Sequence, residues 1–481
     1  MAEDLKQKTI KGVSWSFAEQ VLTRGANFVI GIILARLLSP TDYGLVGMLG
    51  IFIAISQIFI DGGLASALIR QKETSEEDYS TVYLINLGLS IVFYFLLYFS
   101  APLIASYYDQ PLLKALLRTI AAILIISSVS SVQATVLVKK VDFRSKSIIS
   151  ILSALLSGAV GIVCALKGLG PWALVAQSLT AAAVVSALTL IFVRWMPRLV
   201  FSRESFKKLF SYSSRLLATS LISTVYNNVY PMVIGKKFSV RDVGIFSRAG
   251  QFPNVANETF ISTFNRVAFP ILSRVQDDDK RLISVYDRYI QVFSFITFPV
   301  LLGLCGCSRP LVLLLLTDKW AECVPYMQLL CISLLTNGII KINLNLLYVK
   351  GRSDLLLRME IIKKTIMFAI LLTSMFFGLK VMCYGIILNS FIDLYFSSFY
   401  TKKLLGYPLW QQLKSVFPYL LVSLVVLAES LLLSSVIHNY LLSLLSSVVV
   451  CAISYFLITK TARLYAFNEA MDFIRKKLRH E

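Results

Sequence analysis

The sequence predicts an all-α polytopic membrane protein. It should have about fourteen transmembrane helices, arranged as two parallel six-helix repeats plus two extra helices around a central cavity. Three observations carry this prediction. Of the 481 residues, 57% are hydrophobic and only 15% are charged, with a mean hydropathy of +0.72. Many apolar runs approach the roughly 20 residues that cross a bilayer as a helix, and the alternating segments of a membrane barrel are absent. Third, a polar stretch is written twice, 200 residues apart: Ser39, Asp42 and Gly44 correspond to Ser239, Asp242 and Gly244. A fixed-offset echo marks an internal repeat.

The first six spans fall at roughly 12–36, 43–69, 80–106, 113–138, 147–167 and 171–194. Six more follow at roughly 207–235, 244–272, 284–316, 323–349, 356–379 and 381–403. The last two lie at roughly 413–437 and 439–462. Further echoes support the pairing of spans 1–6 with 7–12: Pro102-Leu103 with Pro310-Leu311, and Val138-Lys139 with Val349-Lys350. Six is even, so both copies point the same way, related by an axis along the membrane normal. The expected organisation is an N-lobe over 1–202, a C-lobe over 203–405, and spans 13 and 14 with a cytoplasmic amphipathic tail over 406–481. In that tail Phe467, Met471, Ile474 and Leu478 share a face and Arg475, Lys476 and Arg479 occupy another, the pattern of an interfacial helix.

The formal net charge is +20, yet this does not signal nucleic acid. Lys139, Lys140, Arg144 and Lys146, then Arg194, Arg198, Arg203, Lys207 and Lys208, then Lys350 and Arg352, all fall in alternate inter-span segments. Such asymmetry sets orientation and puts both termini in the cytoplasm. The basic N-terminus is no cleaved signal, because Glu19, Gln20, Arg24 and Asn27 interrupt the run that follows it. The seven cysteines fall mostly in apolar runs, and the only histidines are His438 and His480. No metal or other cofactor is expected.

Each copy of the repeated stretch should end one span and cap the next. Ser39 suits an N-cap, Pro40 the first helical position, and Asp42 the reciprocal carboxylate of a capping box. Gly44 lets backbones approach.

The polar residues concentrate in the first two spans of each copy. Gln20, Arg24 and Asn27 lie along one stripe of span 1, with Gln57 and Asp61 on span 2. Asn227 lies on span 7, and Arg248, Gln251, Asn257, Glu258 and Arg266 on span 8. These spans should face each other across the cavity. An Arg or Asp near the bilayer centre costs roughly 2.5–3.5 kcal/mol and so rarely faces lipid. Arg24 is the most informative, with an ion pair to Glu19 or Asp61 as its structural alternative. Arg248 and Arg266 suit either a site or snorkelling near helix ends. Asp393 is an isolated acid, packed or part of a coupling-ion site. Arginine forks match phosphate oxygens, and amide stripes match hydroxyl-rich ligands. The combination points to an amphiphile with a phosphate and a glycan head.

The run Ala35-Arg36-Leu37-Leu38-Ser39-Pro40-Thr41-Asp42-Tyr43-Gly44-Leu45, followed by Asp61-Gly62-Gly63-Leu64, resembles the polysaccharide transporter family of Wzx-type oligosaccharide flippases, in the multidrug/oligosaccharidyl-lipid/polysaccharide exporter superfamily. The resemblance covers essentially the whole chain. It implies a flippase of an undecaprenyl-pyrophosphate-linked oligosaccharide for O-antigen, capsule or exopolysaccharide assembly, in the bacterial inner membrane. Implied partners are that lipid-linked substrate, the bilayer, and polysaccharide polymerase and chain-length machinery. Drug or cation exporters and lipid II flippases of the same superfamily are the alternatives. The first would want a cavity rich in carboxylates and aromatics. Lipid II flippases also use arginines on early spans, but span 2 here has no internal Arg. An enzyme acting on the same lipid would need a long acidic outer loop, which this chain lacks.

Overall fold

The computed structural model describes residues 22–71, 73–198 and 200–478, apart from a few side chains. Every regular element among them is helical. The chain forms two compact units, Met1–Gly244 and Ile245–Glu481.

In the first unit, α1 is described over 22–37. It is followed by α2 (Pro40–Asp61), α3 (Leu64–Arg70), α4 (Glu76–Tyr107), α5 (Pro111–Ile120), α6 (Ala122–Ser128) and α7 (Ser131–Lys139). Then come α8 (Phe143–Leu166), α9 (Trp172–Phe192) and α10 (Arg203–Lys237). The expected second span is thus broken into α2 and α3. Gly62 and Gly63 both take positive φ, +50° and +73°, a conformation glycine adopts without steric cost. A β-carbon on Gly63 would also stand 3.2 Å from the Ser213 carbonyl oxygen of α10. The expected fourth span is three short helices, α5 to α7.

The helix starts obey the capping chemistry read from sequence. At α2 the Ser39 hydroxyl accepts from the Asp42 amide at 3.2 Å, and the Ser39 amide donates to the Asp42 carboxylate at 2.8 Å. Ser75 and Asp78 make the same box at α4. Polar side chains staple the unit inside the apolar packing. Asn86 donates to Ser131 at 3.1 Å, Ser90 meets Ser128 at 2.9 Å, and Ser130 meets Ser186 at 2.9 Å. At the far end of α10, Lys236 lies 3.6 Å from Asp109 and donates to the Tyr107 carbonyl.

The second unit continues α11 (Val240–Arg274), which begins in the first, and adds α12 (Asp279–Gly306), α13 (Ser308–Leu316), α14 (Cys323–Leu334) and α15 (Asn337–Val349). Next are α16 (Ser353–Ser374), α17 (Leu379–Leu405), α18 (Leu409–Val436), α19 (Tyr440–Thr461) and α20 (Tyr465–Leu478). Its core gathers Tyr286, Ile290 and Phe293 of α12 with Ile342 and Leu346 of α15 and Tyr419 of α18. The Cys305-Gly306-Cys307 stretch serves helix packing. A β-carbon on Gly306 would stand 3.1 Å from the Leu427 carbonyl oxygen. Six of the seven cysteines are buried and all are free thiols. The tail helix α20 docks through Phe467, 5.2 Å from Phe456, and through the Ala466 amide, which donates to Tyr419 at 3.1 Å. The side chains of Ile474, Arg475, Lys476, Leu478 and Arg479 lie outside the described residues.

Where the expected spans fall among the described residues, they lie on these helices; residues 12–21 of the first lie outside them. By length and apolarity alone, ten helices among the described residues can cross a bilayer. Helices α10, α11 and α16 are long, with 35, 35 and 22 residues, but too polar to qualify. This is a multi-pass helical membrane protein.

Candidate functional site

The first unit builds its polar surface on α1, α2 and α10. Helices α2 and α10 run antiparallel in contact along their length. Gly44 lies against Val240, just past the end of α10, Gly235 against Met48, and Gly62 against Leu217. Between the last two contacts the pair carries Gln57 on α2 and Ser223, Thr224 and Asn227 on α10, brought to a common level. Gln57 is half-buried and Asn227 is exposed. The neighbouring Asn228 is not available to a ligand in the same way, since its amide donates to the Thr224 carbonyl at 2.9 Å.

Helix α1 is anchored by its apolar face. Ile30, Leu34 and Leu38 pack with Ala165, Ala173 and Leu174 of the α8–α9 hairpin. Gly158 of α8 leaves room for Ile30. Arg24 and Asn27 then fall on the exposed side. Asp61, at the end of α2, is exposed as well. Glu19 and Gln20 lie outside the described residues, so the expected Glu19–Arg24 pair does too.

The second unit carries its polar group on α11. Arg248 is only 6% exposed. Its guanidinium donates to the Gln251 side-chain Oε1 and lies 5.8 Å from the centre of the Trp320 ring. That is burial against an aromatic, not snorkelling to an interface, so the second of the two expectations for Arg248 is replaced by packing. About two and a half turns on from Arg248, Asn257 is 1% exposed and neither polar atom of its side-chain amide has a partner. Buried amides normally find partners, which makes Asn257 an exception among the described residues of this helix. Its neighbour Glu258 is exposed. Arg266 lies further along α11, and its side chain is outside the described residues.

Asp393 of α17 is not isolated, as the sequence suggested. It lies 3.8 Å from Lys363 of α16, whose ammonium also reaches Glu360 at 3.1 Å. Lys363 was not singled out from the sequence. Its partner sits on another helix, and the sequence pattern carries no inter-helix register. Glu429 accepts a hydrogen bond from Ser454 of α19.

Chemically, α1 and α10 offer one exposed cationic fork, Arg24, and the amides of Asn27 and Asn227, while Arg248 and Asn257 of α11 are buried. Among the described residues there is no group of three or more His, Cys, Asp or Glu placed to hold a metal ion.

Residues 33–325 match the family described as "Polysaccharide biosynthesis protein". Among curated proteins, the chain is 27% identical to the lipopolysaccharide biosynthesis protein WzxC of Escherichia coli (strain K12), over 91% of this chain and 90% of that one. It is also 27% identical to the succinoglycan biosynthesis transport protein ExoT of Rhizobium meliloti (strain 1021), over 69% and 68%. Among solved structures, the fold is similar to that of the lipid II flippase MurJ in an inward closed conformation. The TM-score is 0.76 at 14% identity, over 94% of this chain and 98% of that one.

Proposed function

Because this chain belongs to the polysaccharide biosynthesis protein family, we propose that it is a flippase for an undecaprenyl-pyrophosphate-linked oligosaccharide repeat unit. It would move that unit from the cytoplasmic to the outer leaflet of the bacterial inner membrane by alternating access, as a transporter and not an enzyme. The product would pass to polysaccharide polymerase and chain-length machinery for O-antigen, capsule or exopolysaccharide synthesis. Both termini face the cytoplasm in this reading, as the Lys and Arg distribution supports. The lobes 1–202 and 203–405 are its moving repeats.

The observation that carries the reading is the exposed pair Arg24 and Asn27 on α1. Facing lipid, Arg24 alone would cost roughly 2.5–3.5 kcal/mol. Facing water and a ligand, it presents donors in the planar geometry that phosphate oxygens accept in pairs. Arg24 would hold the pyrophosphate, helped by Arg248 or Arg266, and the prenyl tail would stay in lipid. Asn27, Gln57 and Asn227 of the first unit, and Gln251 and Asn257 of the second, would meet sugar hydroxyls. A membrane potential, negative inside, contributes about 2.3 kcal/mol per charge per 100 mV, in the direction of export for an anionic headgroup.

The test is complementation of a flippase-null strain at matched protein levels. Arg24→Ala should fail to restore surface polysaccharide, and Arg24→Lys should restore it in part. Full restoration by Arg24→Ala would remove the assignment.

A further inference from the structure

A second arginine of the first unit occupies a groove that the export reading does not use. The groove has a volume of about 490 Å³ and runs between α4, the α5–α6 segment and α9. Its polar lining is Tyr94, Tyr98, Arg118, Thr119 and Thr180, and Arg118 is the only charged residue in it. The Arg118 guanidinium stacks on the Tyr98 ring, 4.1 Å from its centre, while its Nε donates to the Tyr98 carbonyl at 3.1 Å. These contacts fix the plane of the guanidinium and use one of its five donors. No other hydrogen bond or ion pair of Arg118 occurs among the described residues. The terminal amino groups therefore remain as a fixed fork on a groove wall. Thr180 and Tyr94 add hydroxyls that make no hydrogen bond among the described residues.

Arg118 is the eighth residue of α5, about 10 Å along the helix from Pro111. This is the end of the unit that also carries Asp109 and its partner Lys236. An arginine at that depth in a spanning bundle is costly to retain without a carboxylate and marks a functional position by default. A planar fork beside hydroxyl donors is the chemistry that receives a phosphate. The groove has room for a headgroup, while the adjoining α4 face offers Phe95 and Phe99 as exposed apolar surface for a lipid chain.

We propose that this groove binds the phosphate group of a membrane lipid, with Arg118 as the anion-binding residue, as a site separate from Arg24. The lipid is either an isoprenoid pyrophosphate or an anionic glycerophospholipid. The two share the chemistry the groove reads.

Native mass spectrometry of the full-length protein counts retained lipids directly. Undecaprenyl pyrophosphate and phosphatidylglycerol are offered in separate arms, with diacylglycerol as the phosphate-free control. The wild type should retain one more copy of a phosphate lipid than Arg118→Ala, whose affinity for that copy falls at least tenfold. Retention of diacylglycerol should not change. Loss of a copy in the pyrophosphate arm alone identifies the isoprenoid, and loss in the phosphatidylglycerol arm identifies an ordinary phospholipid. Arg24→Ala should keep the copy that Arg118→Ala loses, so failure here and failure of the Arg24 assignment are distinguishable. Should Arg118→Ala not fold, the Tyr94→Phe/Thr180→Val double variant keeps the Arg118–Tyr98 stack. It should lose retention at an unchanged melting temperature. Equal lipid counts in wild type and variants, in both arms, would overturn the proposal.

Discussion

Gly44 and Gly244 meet backbone to backbone. A β-carbon on Gly244 would stand 1.9 Å from the Pro40 carbonyl oxygen and 3.1 Å from the Gly44 nitrogen. A β-carbon on Gly44 would stand 1.8 Å from the Val240 carbonyl oxygen. The contact is reciprocal: each copy of the repeated stretch packs its glycine onto the first helical residue of the other. The repeat thus carries its own contact surface, with the Ser39–Asp42 box fixing one helix start and Ser239–Asp242 fixing the other.

Alanine at either glycine should therefore be disruptive, since the clashing atoms are backbone and cannot rotate away. Overpacking of this kind costs about 1–3 kcal/mol. Gly44→Ala and Gly244→Ala should each lower the melting temperature. Gly50→Ala, where nothing lies within 4 Å, should be neutral or slightly stabilising because alanine is the better helix former. Equal melting curves for Gly44→Ala and Gly50→Ala would contradict the close approach.

The α2–α10 pair supplies a test of motion. A β-carbon on Gly235 would stand 3.1 Å from the Met48 Cγ, so the two positions are close neighbours and suit a cysteine pair. In a Met48→Cys/Gly235→Cys variant with Cys164 replaced by Ser, oxidation should join α2 to α10. If alternating access separates these helices, export should stop on oxidation and return on reduction. A cross-linked protein that exports at the wild-type rate would show that the pair never opens.

What could be read from the sequence divides along a physical line. Local chemistry was legible: the capping box at Ser39 and Asp42, the close approach at Gly44, and the positions of the long apolar helices. Each depends on residues within one or two turns or on a repeat offset. The breaks within spans were less so. Gly62 and Gly63 stood in the sequence, but that both turn left-handed and that α10 packs against them was not readable there. Contacts across helices were not legible at all. Arg118 needs Tyr98 on α4 to become a fixed fork, and Asp393 needs Lys363 on α16 to cease being isolated. Hydrophobic periodicity gives each helix a face but not the register between helices.

A buried network in the second unit shows what that register produces. Asn343 of α15 accepts from Tyr286 and from Thr401 at 3.0 Å, and its amide reaches Ser397 at 3.2 Å, Ser398 at 3.3 Å and Gln412 at 3.2 Å. It joins α12, α15, α17 and α18 through one fully buried side chain. Asn343→Ala strands several donors and acceptors at once. The expected loss is about 1–3 kcal/mol, read as a lower melting temperature of the purified protein. Asn345→Ala, which removes only the 2.9 Å bond to Asn265, should cost less. A larger loss at Asn345 than at Asn343 would refute the network's role.

A charged cluster joins α16 and α17. Lys363 is 6% exposed at its side chain and faces Glu360 at 3.1 Å and Asp393 at 3.8 Å. Removing the shared cation leaves two carboxylates. Glu360 is about a third exposed and keeps Lys364 at 3.8 Å, so Lys363→Met should cost about 1–3 kcal/mol, less than the 3–5 kcal/mol of a fully buried broken pair. Asp393→Asn should be milder, because Lys363 retains Glu360 at the shorter distance. The Lys363→Met/Asp393→Asn double variant should recover much of the loss, since no unpaired acid remains on α17. If the pair is structural, export by the double variant recovers together with its melting temperature, because the defect of the single variant then comes only from the acid left without its cation. An Asp393→Asn variant that is stable, present at wild-type levels and unable to export, with the double variant equally stable and inactive, would instead assign Asp393 to energy coupling. Thermal stability and complementation measured on the same three variants decide between the two.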